Sequence, residues 1–350
     1  MSRSSGSEFL TVFGRNLVEE LASIAHRPYL VVTMEDLWPM FEASLGSQLA
    51  GVHFVTSLDL DEVTAAAAKL PAYASVVGLG GGQASDVAKF FAWVRRVPLF
   101  QVPTAMTTNA PFAHRAVIRS EGKSSAIGWA VPEVVYVDLD VIKRAPAHLN
   151  RSGVCDVLSA HTAHFDWKLA HDTGNEERQW PYDADLVAQS RVWFESVRTS
   201  VDAIRDVSDE GIRTLMLAHR WGGAAYHNAG WNDRHLNGVD HCFLYCLEYV
   251  TNKHFIHGQG VGLGIYLGSD LQENEPEAIL ETLRRTGVDI RPEAMGISWD
   301  DAANALRRLG WYVRYAGLPY TIADARPVTD AFIDVARERL YATLGNWPDA

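Results

Sequence analysis

"VVGLGGGQASDVAKFFAWV", residues 76–94, is an apolar run that ends in three glycines and then takes up helical spacing, with Val87, Phe90, Phe91 and Val94 on one face. Glycine is entropically costly to order, so three in a row need a reason. A strand running through Gly80, Gly81 and Gly82 into a helix lets backbone N–H groups approach a phosphate that side chains would hold off. The helix N-terminus adds partial positive charge. The plainer alternative is a tight turn that tolerates glycine. The stretch is neither the spaced G-x-G-x-x-G fingerprint nor a P-loop, since no Gly-Lys-Ser/Thr follows. A diphosphate-containing ligand such as a dinucleotide is the natural candidate.

Upstream, 28–34 and 51–57 are β-rich runs, 60–70 places Leu60, Val63, Ala67 and Leu70 on one helical face, and 73–79 is a strand. Downstream, 97–104 reads as a strand stopped by Pro103, 114–129 as a hairpin turned at Glu121-Gly122-Lys123, and 133–139 as a last strand. Beyond residue 150 helical periodicity takes over, at 153–171, 184–205, 208–228, 239–252, 258–271, 276–286, 298–310 and 327–344. Ser298 three before Asp301 resembles a capping box, and 171–183 is a polar loop. The pattern predicts an α/β N-terminal Rossmann-like domain with a mostly parallel sheet over 1–150 and an all-α C-terminal domain over 151–350, with a cleft between them.

Composition narrows the function classes. The chain has 350 residues, 47% hydrophobic and 21% charged, which suits an ordinary globular protein. Its formal net charge of −12 argues against nucleic acid or an anionic membrane as a partner. No stretch is apolar for long enough to span a membrane. "MSRSSGSEFL" lacks the apolar core of a secretion signal and reads as a frayed end. Three cysteines, Cys155, Cys242 and Cys246, make a disulfide framework improbable, so a cytoplasmic setting is expected. Homo-oligomers are common in general, but the sequence leaves the oligomeric state open.

Two groups of polar residues stand out. In "VPTAMTTNAPF" (102–112), Thr104, Thr107, Thr108 and Asn109 offer uncharged hydrogen-bonding groups just past a strand end. An ordinary polar loop would look the same. Asp156, His241 and His257 each sit at the edge of an apolar helical segment, where a charge or imidazole needs a partner. One carboxylate and two imidazoles would leave an open position on zinc or ferrous iron. A satisfied core histidine is the default for each, and His161, His164, His227, His235 and His254 compete on periodicity alone.

In this order the pieces resemble the iron-containing (group III) alcohol dehydrogenase superfamily, closest to its glycerol dehydrogenase and glycerol-1-phosphate dehydrogenase branches. "VVGLGGGQASDVAKF" is similar to the family's GGG-x-x-x-D-x-A-K loop, "VPTAMTTNAPF" to its P-T-x-x-S-T-D-A-P segment, and "PEVVYVDLDVIKRAP" to the strand that follows. "GVCDVLSAHTAHFDWKLA" resembles the segment with the first metal ligand, and "RHLNGVDHCF" and "FIHGQGVGLG" those with the two histidine ligands. The resemblance implies that Gly80, Gly81 and Gly82 cradle a pyrophosphate and that Asp86, in the first turn of the helix, helps set that loop. It implies cofactor contacts for Thr104, Thr107 and Thr108, and a divalent metal on Asp156, His241 and His257, zinc first, with iron or nickel as alternatives.

The implied activity is hydride transfer between NAD or NADP and a small polyol, sugar-like alcohol or its phosphate, with the metal acting as Lewis acid. Asp59, near the end of the second strand, leans the cofactor towards NAD. Two positions depart from the family: Asn109 replaces an aspartate of the glycerol dehydrogenase branch, and Ala160 a lysine of the glycerol-phosphate branch. His161 and His164 are candidates for a proton relay or substrate contact, and Arg234 for holding an anionic substrate group. The rival readings are a sugar-phosphate cyclase like dehydroquinate synthase, using NAD transiently, and a catalytically silent nucleotide-binding relative.

Overall fold

A computed structural model of the chain describes residues 9–120, 123–228 and 230–345. Most of the expected frayed end (1–8), the hairpin turn at 121–122 and the side chain of His227 lie outside the described residues. The chain divides into two compact units, Met1–Asn150 with His219–Trp231, and Arg151–Ala218 with Asn232–Ala350. The stretch His219–Trp231, which a division after residue 150 assigns to the helical part, groups with the first unit.

The first unit holds strands β1 (Leu10–Gly14), β2 (Tyr29–Thr33), β3 (Leu49–Phe54), β4 (Ser75–Gly80), β5 (Leu99–Pro103), β6 (Ala116–Ser120), β7 (Lys123–Ile127) and β8 (Val134–Asp138). Its helices are α1 (Leu17–Ile24), α2 (Glu42–Leu45), α3 (Leu60–Lys69), α4 (Gly82–Arg95) and α5 (Leu139–Arg144). Six strands form one sheet in the order β1-β8-β5-β4-β2-β3, and every pairing in it is parallel. β6 and β7 form a separate antiparallel hairpin.

The four inner strands are buried along their whole length, as a parallel sheet covered on both faces requires. Successive residues alternate between two cores: Val31, Val77, Phe100 and Tyr136 pack on one face with Leu17 and Leu21 of α1. Leu30, Val32, Val76 and Leu99 pack on the other with Val87 and Phe91 of α4. The frayed end expected over 1–10 does not hold for its last two residues. Phe9 is buried, 6.2 Å from Phe112 between ring centroids, and Leu10 opens an edge strand paired with β8.

Helices α6 (Ala147–Ser152), α7 (Val154–Leu158), α8 (Ala160–Asp172), α9 (Ala184–Thr199), α10 (Val201–Arg205) and α11 (Asp209–Asn228) follow. The last six are α12 (Val239–Thr251), α13 (His257–Gln272), α14 (Pro276–Thr286), α15 (Trp299–Ala316), α16 (Ile322–Ala325) and α17 (Asp330–Leu344). The predicted single helix over 153–171 is broken at Ser159, whose hydroxyl donates to the Asp156 carbonyl at 2.9 Å and so competes with the helical ladder. The Ser298–Asp301 capping box forms as expected, and α15 runs on to Gly317, where a φ of 66° ends it. Among the described residues no helix is long and apolar enough to cross a membrane.

Candidate active site: a metal centre and a glycine turn

Asp156 lies in α7, His241 in the first turn of α12, and His257 is the first residue of α13. One ligand atom from each falls within 4.8 Å of the others. His257 Nε2 is 3.0 Å from Asp156 Oδ1, and His241 Nε2 is 3.7 Å from the same oxygen. Packing brings them together. A Cβ on Gly258 would lie 1.8 Å from the Ser152 carbonyl oxygen, and one on Gly264 would lie 2.4 Å from that of Asp240. Bare backbone at these two positions lets α13 lie directly on the chain entering α7 and on the start of α12.

α8 fixes the start of α12. Asp166 Oδ2 accepts the Val239 N–H at 2.7 Å, capping α12 where it has no side-chain cap of its own, and Oδ1 accepts the Ile322 N–H of α16 at 2.8 Å. One turn earlier on α8, Thr162 Oγ1 bonds Asp240, whose other carboxylate oxygen bonds His241 Nδ1. That leaves His241 Nε2 turned to Asp156. Burial alone would lower the pKa of His241, but the carboxylates of Asp240 and Asp156 overcome it and raise it to about 10. The centre therefore demands positive charge. A carboxylate and two imidazoles at this spacing, with one imidazole braced from behind, fit a divalent cation that keeps an open position.

The competing histidines go elsewhere. His161 Nε2 faces the Asn274 carbonyl at 2.9 Å and Ser269 Oγ at 3.2 Å, and its ring stacks on Phe194; burial lowers its pKa. Burial and Arg191 push His164 down to about 4, and burial and His164 push His235 down to about 3. His254 is exposed, 3.5 Å from Glu248. Arg234 is fully buried and bonded within the protein: one terminal nitrogen donates to the carbonyls of Tyr320 at 2.9 Å and Asp166 at 3.3 Å, with Nε 3.4 Å from Glu177. Ala160 is buried at the start of α8.

In the first unit β4 delivers the glycines. Gly80 accepts the Thr104 N–H at 3.1 Å, tying the turn to the end of β5, and a Cβ there would sit 2.7 Å from that of Ala84. Gly81 caps α4 with no side-chain bond, and no acid occupies the first turn. A Cβ on Gly81 would point to Thr107 Oγ1 at 3.6 Å, and one on Gly82 to Thr108 Oγ1 at 3.1 Å. Two hydroxyls thus face the bare backbone at the positive end of a 14-residue helix, the arrangement a phosphate uses. Asn109 closes the segment through its backbone, its carbonyl accepting from Phe112 N at 2.9 Å.

Asp86 is the fifth residue of α4, past the first turn where the sequence reading put it. It pairs with buried Lys89 at 2.7 Å and accepts the Val117 N–H at 3.1 Å, while Lys89 Nζ donates to the carbonyls of Ala110 and Arg115. The pair fastens the loop after Thr108 to the helix. Asp59 caps α3 by accepting from Asp61 and Glu62 N–H. Sequence reasoning missed Lys89, Asp240 and Thr162. The only local signals were a lysine three after Asp86 and an acid directly before His241.

A chain with this parallel sheet, a glycine turn at a strand end and an aspartate and two histidines brought together among helices falls in the class of NAD(P)-dependent dehydrogenases, and it belongs to the iron-containing alcohol dehydrogenase family. The model of that family matches residues 15–146. The glycerol-1-phosphate dehydrogenase [NAD(P)+] of Thermofilum pendens is 31% identical over 298 residues, 83% of this chain and 84% of that one. The enzyme of the same name from Methanothermobacter thermautotrophicus is 30% identical over 270 residues, 76% of each chain. In fold, the chain is similar to a probable glycerol dehydrogenase from Sinorhizobium meliloti, with a TM-score of 0.72 and 19% identity, covering 98% of this chain and 100% of that one.

Proposed function

We propose that the protein is an NAD(P)-dependent, metal-assisted dehydrogenase or reductase that moves hydride between a nicotinamide and a small polyol, a sugar-like alcohol or its phosphate. The observation that carries this reading is the convergence of Asp156, His241 and His257, 101 residues apart between first and last, within 4.8 Å. These three would hold the cation, zinc first, with iron or nickel as alternatives. Bound, it supplies Lewis acidity towards a substrate oxygen, and the nicotinamide supplies or accepts the hydride. Gly80, Gly81 and Gly82 with the α4 N-terminus bind the pyrophosphate, and Thr104, Thr107 and Thr108 orient the cofactor by hydrogen bonds. Asn109 is a substrate-side hydrogen-bonding group.

NAD is the preferred cofactor in this reading. β2 is the neighbour of β4 on the side away from β5, and exposed Glu35 and Asp36 follow its end after Met34. Leu37, next in sequence, lies 3.8 Å from where a Cβ on Gly80 would be. Carboxylates there suit a ribose 2′-hydroxyl and repel a 2′-phosphate. The free, buried thiols of Cys155, Cys242 and Cys246 suit a reducing cytoplasm.

A screen of glycerol, dihydroxyacetone, glyceraldehyde and their phosphates with both nicotinamides, alongside metal analysis, tests the reading. The expected result is a steady change in nicotinamide absorbance by a protein holding about one divalent ion per chain, faster with NAD(H) than NADP(H). A protein that takes up no divalent metal and changes no nicotinamide absorbance overturns it.

A further inference from the structure

Asp240 is a carboxylate at the metal centre that no ligand role explains. It is wholly buried, and the Gly264 backbone packs against its main-chain carbonyl. One carboxylate oxygen takes the Nδ1 side of His241 and the other takes the Thr162 hydroxyl. Among the described residues no lysine or arginine forms an ion pair with it. A carboxylate sealed from water without a cation is costly unless something nearby carries positive charge.

We propose that Asp240, braced by Thr162, is a positioning residue for the metal centre. It holds the imidazole of His241 so that Nε2 is presented to the cation. This rests on the metal-binding reading above. An imidazole has two nitrogens, and either can ligate; the bond at Nδ1 leaves only Nε2 free, and Nε2 is the atom that faces Asp156. α8 supplies the brace because Thr162 and Asp166 lie four apart on one helical face, so the residue that caps α12 and the residue that orients Asp240 move together.

The test is the affinity of the whole purified chain for Zn2+, measured by competition with a chromogenic chelator, with the melting temperature of the metal-free protein recorded beside it. Asp240→Asn should weaken Zn2+ binding about 10- to 100-fold, and Thr162→Val by a smaller factor of a few. The d–d spectrum of Co2+ bound in place of Zn2+ should shift in Asp240→Asn, a change that lost packing alone would not produce. Zn2+ affinity within twofold of the unchanged chain in both variants overturns the proposal. Should Asp240→Asn fail to fold, Thr162→Val decides, and unchanged affinity there overturns it equally. An unchanged chain that binds no Zn2+ removes the metal reading itself; one that binds it while both variants match removes only the role of Asp240.

Discussion

The glycine turn and the metal centre are built by opposite means. The turn is a contiguous stretch that offers bare backbone, with side chains missing at Gly80, Gly81 and Gly82. The centre takes one side chain from each of three helices, with Asp156 and His257 101 residues apart, and holds them by close packing between those helices. A site of the first kind should tolerate damage elsewhere and fail only when its own backbone is covered. A site of the second kind should fail whenever the packing beneath it changes, even where no ligand is touched. Variants that separate these two failures test the comparison directly.

The largest effect is expected from Gly258→Val, which touches no ligand atom. Its Cβ would lie 1.8 Å from the Ser152 carbonyl, a backbone atom that cannot swing aside, so α13 must shift away from the chain entering α7. We expect loss of bound metal together with about 3 kcal/mol of stability, read by metal analysis and chemical denaturation. Metal retained at full content would show that the centre does not depend on that packing. His257→Ala comes next. It should remove most of the metal and lower turnover by about a thousandfold or more, yet leave the melting temperature of the metal-free protein nearly unchanged, because the side chain is part-exposed. Undiminished metal content would show that His257 is not a ligand.

Gly81→Val should do the reverse. A Cβ at this position makes an ordinary contact, 3.6 Å from Thr107 Oγ1, so the fold accepts it while the valine methyl groups fill the space before the backbone N–H groups. Dinucleotide affinity by calorimetry should fall about 10- to 100-fold with metal content intact. Equal cofactor affinity would count against the cradle, and lost metal would show that the two sites are less independent than their construction implies.

The same contrast explains what could be read from sequence. The turn, α4 and the inner strands were legible because their signals are local: an apolar run, three glycines, then a 3.6-residue period. β1 and α1 were missed because what secures them is remote. The Leu17 N–H that opens α1 is capped by Asp138, 121 positions away, and β1 pairs only with β8. Residue types marked Asp156, His241 and His257 as suitable but could not select them from eight polar candidates; the family resemblance did that. Thr162 left no readable trace, since a hydrogen bond between α8 and α12 has no sequence period, and Asp240 showed only as an acid directly before His241. The break at Ser159 was invisible for a related reason, because a serine inside a helical pattern announces a competing bond only once the fold is known.

The effect that is smallest at neutral pH appears only in acid, and it bears unequally on the two units. Burial, aided by Lys89, lowers His114 of the first unit to about 4, and burial lowers His164 and His235 of the second to about 4 and about 3. Each has a folded pKa below its ordinary value of 6.5, so in the interval between, the unfolded chain binds a proton that the folded chain refuses. Their neutral, buried forms therefore cost nothing above about pH 6.5, and stability is lost as pH falls from there towards 4, by about 1.4 kcal/mol per pH unit for each group. Two of the three lie in the unit that carries the metal centre, so acid should loosen that unit first. His164→Gln removes one of them while keeping a polar side chain of similar reach. Between pH 6.5 and 4.5 its denaturation free energy should fall less steeply than that of the unchanged chain, by close to one proton's worth of slope. Parallel curves for the two proteins would mean that His164 takes up its proton in the folded state as readily as in water.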